Sequence, residues 1–154
     1  LDFNLHNPIQ SSQKQKTGLI FLFTLETAMR QSEITTLTWQ QINLRGKYLT
    51  LIEIKNGYRR HVPLSSKAIH LLQIMNPKKS GNIFGIDADT VSTLFRRSVK
   101  KCKIENLRFH DTRHEACTRL AQLIPLLDLA KMIGHRDIKS LMICYDATPT
   151  EIAN

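Results

Sequence analysis

One dipeptide limits the folds open to this chain more than any other feature. Asn56-Gly57 lies between Tyr48 to Ile54 and Arg59 to Leu64, two short runs rich in β-forming residues. Asn-Gly between such runs is the strongest local signal for a hairpin, because a tight two-residue turn needs positive φ at its centre. A third run, Trp39 to Leu44, is set off by Arg45-Gly46. Together these predict one small antiparallel sheet of three strands.

The remaining sequence has helical spacing. Thr17 to Leu37 carries apolar residues at intervals that predict two helices meeting near Arg30 and Gln31. Ser65 or Ser66 caps a helix running to about Met75, and Asn76-Pro77 with Ser80-Gly81 forms a loop. Asp89 is positioned to cap a helix through Lys101, and His110 to Leu123 reads as another. Pro125 opens Leu126 to Ile133, which Gly134 ends. A last helix is expected from about Ile138 to Tyr145, and a short one after Thr150. The class is therefore α+β, mainly helical. Leu1 to Lys16 is polar and irregular and reads as a linker remnant, leaving 17–154 as the folded domain.

Charge narrows the partners. The 154 residues carry a formal net charge of +9. An excess of this size in one domain suits a polyanion, since Lys and Arg displace condensed counterions from phosphates. The apolar fraction of 42% is that of a globular chain rather than a disordered one. Cys102, Cys117 and Cys144 are odd in number and contain no Cys-x-x-Cys pair, which argues against a disulfide framework or zinc site and for a reducing compartment. The most apolar stretch, Gly18 to Leu25, is too short to span a bilayer.

Several residues have the chemistry that a phosphate reaction needs. Cleaving a phosphodiester requires a nucleophile, cations for the phosphoryl oxygens and an acid for the leaving oxygen. The planar fork of arginine pairs with two phosphate oxygens and keeps its proton. Arg30 follows an apolar helix, with Glu33 three residues later to hold it. His110 and Arg113 form a His-x-x-Arg pair whose side chains share a helix face. His135 follows the glycine that ends a helix, Lys55 sits at the hairpin mouth, and Tyr145 lies on the expected last helix. A phenol, with a reference pKa of about 10, is a nucleophile near neutrality only where clustered cations favour its anion. Singly, each residue is equally at home as a surface charge, a helix cap or a core aromatic.

Their order is more specific than any of them alone. Ala28-Met29-Arg30-Gln31-Ser32-Glu33-Ile34 resembles the first arginine box of the tyrosine recombinases, the phage integrase family. Leu37 to Ile42 is similar to the segment entering that family's sheet. Lys55-Asn56-Gly57 with Arg60-His61-Val62-Pro63-Leu64 resembles its lysine hairpin, and Leu107 to His114 its second arginine box. Gly134-His135 and a following tyrosine complete the series, and the resemblance covers most of Thr17 to Ala153.

The resemblance implies roles residue by residue. Arg30 and Arg113 would clamp the scissile phosphate. His110 would assist proton transfer, His135 would donate to a nonbridging oxygen, and Lys55 would protonate the departing 5′ oxygen. Tyr145 would form a 3′-phosphotyrosine linkage, with no metal or nucleotide cofactor. Arg30, Lys55, Arg59, Arg113 and Arg136 would face the DNA. It further implies double-stranded DNA as partner, a tetramer on DNA in the full-length protein, accessory DNA-bending proteins, no membrane, and a place in the cytoplasm with the nucleoid. The separate core-binding domain that precedes the catalytic domain in the family is not part of this sequence.

Two departures stand out. Ala28 replaces a frequent glycine, and Tyr145 comes one residue later than the family's usual nucleophile, a position that Cys144 fills here. One residue on a helix turns a side chain by about 100°. Either an insertion between His135 and Ser140 restores Tyr145 to the site, or the chain binds DNA without cutting it. A type IB topoisomerase-like relaxing enzyme shares this chemistry and is the third reading.

Overall fold

The computed structural model describes residues 12–52, 57–134 and 142. Six helices and three strands follow in order: α1 (Gln13–Thr27), α2 (Gln31–Thr35), β1 (Ile42–Asn43), β2 (Tyr48–Ile52), β3 (Arg59–Pro63), α3 (Ser66–Ile74), α4 (Ala88–Lys101), α5 (Phe109–Ala121) and α6 (Leu126–Ile133). The expected mainly helical α+β architecture with one small sheet is what the chain adopts. The expected helices at 138–145 and after Thr150 lie outside the described residues, as does the putting-together of the 53–56 turn.

Helix α1 is the centre of the molecule. Leu19, Ile20 and Phe23 are fully buried, and α2, α3, α4 and α5 all pack against it. A helix covered on every side needs no polar face, and each such side chain contributes about 2 kcal/mol by burial. Its buried threonines would be costly without partners. Thr17, Thr24 and Thr27 each donate to the carbonyl four residues back, at 2.7 to 2.8 Å.

Helix α1 begins earlier than the polar composition suggests. Ser12 accepts from the Gln15 backbone and the Gln15 side chain accepts from the Ser12 backbone, a reciprocal cap that draws Gln13 to Lys16 into the helix. It ends at Ala28, whose backbone is left-handed at φ 52° and donates to Thr24. That backbone is the reason glycine suits this position.

The sheet runs in the order β1-β2-β3, antiparallel throughout, with Leu49 opposite Val62 and Leu51 opposite Arg60. Only Ile42–Asn43 of the run Trp39 to Leu44 is strand. Trp39–Gln41 is instead one 3-10 turn, because the Gln41 side chain accepts from the Thr38 amide at 2.8 Å and its hydroxyl at 3.0 Å. Trp39 donates to Gly81, and Ile83 donates to Leu37, so this segment ties to the loop before α4, while the Gln41 side chain donates to the Thr50 carbonyl on β2.

Two further boundaries differ from expectation. Asp87, not Asp89, caps α4, accepting from Thr90 at 2.8 Å. The Thr90 hydroxyl and amide hold the Asp87 carboxyl below the usual carboxylate range. Helix α5 starts at Phe109 because Asp111 accepts from the Arg108 amide at 2.7 Å, and it stops at Ala121. Helix α6 runs from Leu126 to Ile133 and Gly134 ends it, as expected. Among the described residues no helix is long and apolar enough to cross a membrane, and no cluster has the makings of a metal site. Cys117 is buried and Cys102 exposed.

Candidate active site

The turn after α1 brings the first arginine into place. Ala28 reverses the chain, Met29 is buried at 1% exposure, and Arg30 becomes the residue before α2. Glu33, in the first turn of α2, accepts from the Arg30 amide at 2.9 Å and from Arg30 Nη1 at 3.1 Å. The carboxylate therefore caps its helix and orients the arginine, as the three-residue spacing predicts.

The same carboxylate gathers two more guanidiniums from distant parts of the chain. Arg60 Nη2, on β3, donates to both Glu33 oxygens, at 2.8 and 2.9 Å. Arg113 Nη1, on α5, lies 4.0 Å from Glu33 Oε2. Arg30 and Arg113 thus converge on one side of the molecule, around a common anion. Burial alone would push the Glu33 carboxyl up. Arg60, the Arg30 amide and the Arg30 guanidinium outweigh it and hold the acid below its ordinary range, so it is ionised at neutrality. Three cations stand around one anion, and guanidinium forks suit the oxygens of a phosphate.

The end of α6 is fastened to the same cluster. The last carbonyls of a helix lack partners within it and carry the negative end of its dipole. Arg60 Nε donates to the Met132 carbonyl at 3.1 Å, and Arg113 Nη2 reaches the Ile133 carbonyl at 3.5 Å. Gly134 follows at φ 93° and ψ 143°, a conformation open to glycine and strained for other residues. A Cβ there would sit 3.6 Å from Arg60 Nη1. The residue that precedes His135 therefore rests on the arginine cluster.

His110 is exposed on the first turn of α5, three residues before the buried Arg113. Arg59 is exposed at the start of β3, on the strand face opposite to Arg60. Lys55, His135, Arg136, Cys144 and Tyr145 lie outside the described residues. Arg60 is a member of this cluster that the sequence reading does not single out. Its signal was present: Arg60, Val62 and Leu64 alternate along one strand face, and a cation aligned with two apolar neighbours points inward.

Comparison with known proteins identifies the family and the fold. The sequence pattern described as the phage integrase family matches residues 4–151. The chain is 42% identical over 125 residues to the shufflon-specific DNA recombinase of Escherichia coli, a match spanning 80% of this chain and 33% of that protein. It therefore spans about a third of the length of that curated relative. The catalytic domain of bacteriophage HP1 integrase superposes with a TM-score of 0.71 at 28% identity, covering 92% of this chain and 81% of that one. The Tn1549 transposon integrase, in complex with a circular intermediate DNA, shares the fold with a TM-score of 0.67 at 20% identity, over 99% of this chain and 66% of that one.

Proposed function

We propose that this chain, which belongs to the phage integrase family, is the part of a site-specific recombinase that cuts and rejoins DNA. The observation that carries the reading is the convergence of Arg30, Arg60 and Arg113 on Glu33. The net charge of +9 supports duplex DNA as the partner.

In this reading Arg30 and Arg113 bind the nonbridging oxygens of the scissile phosphate and stabilise the charge that builds there. The Tyr145 oxygen attacks phosphorus, and the bond to the 5′ oxygen breaks. Lys55 gives its proton to that oxygen, His135 donates to a nonbridging oxygen, and His110 assists in moving the tyrosine proton. The phosphodiester becomes a 3′-phosphotyrosine, so its energy is kept, and attack by a 5′ hydroxyl of a second strand completes the exchange without a nucleotide. Arg59 and Arg136 lie along the DNA. The full-length protein assembles as a tetramer on its site, with accessory DNA-bending proteins, and works in the cytoplasm on the nucleoid.

The test uses a pool of nicked duplexes of randomised sequence, incubated with the chain and recovered through covalent attachment that survives SDS. Adducts are expected, and Tyr145→Phe is expected to abolish them. Adducts that persist in Tyr145→Phe assign the nucleophile elsewhere. Salt-sensitive DNA binding with no adduct from the unaltered chain overturns the cleavage reading and leaves a DNA-binding module.

A further inference from the structure

We propose that Arg60 is a positioning residue for cleavage, a bracket that sets the arginine clamp and the end of α6 in one register. The proposal rests on the recombinase reading above. Arg60 does not meet DNA itself, being only 5% exposed and lying behind Gly134. Its guanidinium is divided between two elements. One edge, Nη2, donates to both oxygens of Glu33, and Nε donates to the Met132 carbonyl. Glu33 in turn holds Arg30 by its amide and its guanidinium, and Arg113 stands against both Glu33 and the Ile133 carbonyl. Moving Arg60 therefore moves the anion on which both clamp arginines are ordered. It also frees the helix end that leads through Gly134 into His135.

An ordinary stabilising ion pair predicts something different. A buried pair can often be replaced by apolar groups of similar volume without loss once the protein folds. A bracket cannot be replaced in that way, because its value lies in where it holds other groups, and misplacement of about 1 Å in a reacting constellation costs about 100-fold in rate. Lysine keeps the charge but has no planar fork, so it cannot serve Glu33 and Met132 together.

The experiment compares the unaltered chain with Arg60→Met and Arg60→Lys on a nicked duplex recovered from the pool. A second duplex carries a methylphosphonate at the scissile position. Losing one charged oxygen there lowers the demand on the clamp. Adduct formation at saturating phosphate duplex is expected to fall about 100-fold in Arg60→Met and at least about tenfold in Arg60→Lys. Half-saturation should stay within about twofold, and the deficit should shrink on the methylphosphonate. Where thermal melting shows that Arg60→Met does not fold, Arg60→Lys carries the comparison. Cleavage by Arg60→Lys at the unaltered rate, or an equal deficit on both duplexes, overturns the proposal. Absence of adducts from the unaltered chain brings down the recombinase reading and this proposal with it, an outcome separate from a normal rate in the variants.

Discussion

Glu33 receives Arg60 through both of its oxygens, at 2.8 and 2.9 Å, although 27 residues separate them in sequence. It joins the turn carrying Arg30 to the sheet. Removing the carboxylate leaves Arg60 charged and nearly buried, a situation that costs about 3 kcal/mol. Glu33→Ala is expected to lower stability by about that amount in urea unfolding and to abolish adduct formation. A loss under about 1 kcal/mol would show that the cluster relaxes into water.

Acid should loosen the same cluster. The Glu33 carboxyl is depressed in the folded chain, despite burial, by Arg60 and by the Arg30 amide and guanidinium. A depressed acid stabilises the fold fully above its unfolded value, near 4.5, and that contribution is lost as pH falls through the folded value. Stability measured against pH should therefore decline below about 4.5. Glu33→Gln should be less stable at neutral pH and show a flatter profile in that acid window. Parallel profiles for the two proteins would remove Glu33 as the source.

The two arginines proposed to clamp the phosphate should separate stability from activity. Arg30 is 37% exposed and pairs locally with Glu33, whereas Arg113 is 7% exposed and stands against the Ile133 carbonyl. A partly exposed arginine paired with a residue three positions away contributes about 1 kcal/mol or less. Arg30→Ala should therefore melt near the unaltered chain, yet lose about 100- to 1,000-fold in adduct formation. Arg113→Ala should lose both. Equal melting of the two variants would contradict the burial difference.

Much of this was legible in the sequence, and the gaps have physical causes. Arg30 with Glu33, and Arg113 on its helix, were readable because a helix fixes neighbours three apart without help from the rest of the chain. The Asn56-Gly57 signal located two strands because turn chemistry is local. Arg60 was overlooked beside Arg59 because charge is visible in sequence whereas the inward phase of a short strand is set by packing against α6. Trp39 misled for a related reason. Its β-forming character was overridden by the Gln41 side chain closing a turn on Thr38. Asp87 is hard to tell from Asp89 in sequence because both lie at the start of the helix, and only the geometry of Thr90 chooses between them.

Gly134 offers the sharpest test of how the helix end is held. Its φ of 93° and ψ of 143° lie where an L residue is strained by about 1–3 kcal/mol. Space is not the obstacle, since a Cβ would meet Arg60 Nη1 at an ordinary 3.6 Å. Gly134→Ala therefore acts through the backbone. To escape the strain, the peptide after Ile133 must rotate, which draws the Met132 and Ile133 carbonyls away from Arg60 and Arg113. The variant is expected to lose about 1–3 kcal/mol in urea unfolding and, once folded, about 100-fold in adduct formation. A stability loss with undiminished cleavage would mean that the α6 end is fastened for the sake of the fold alone.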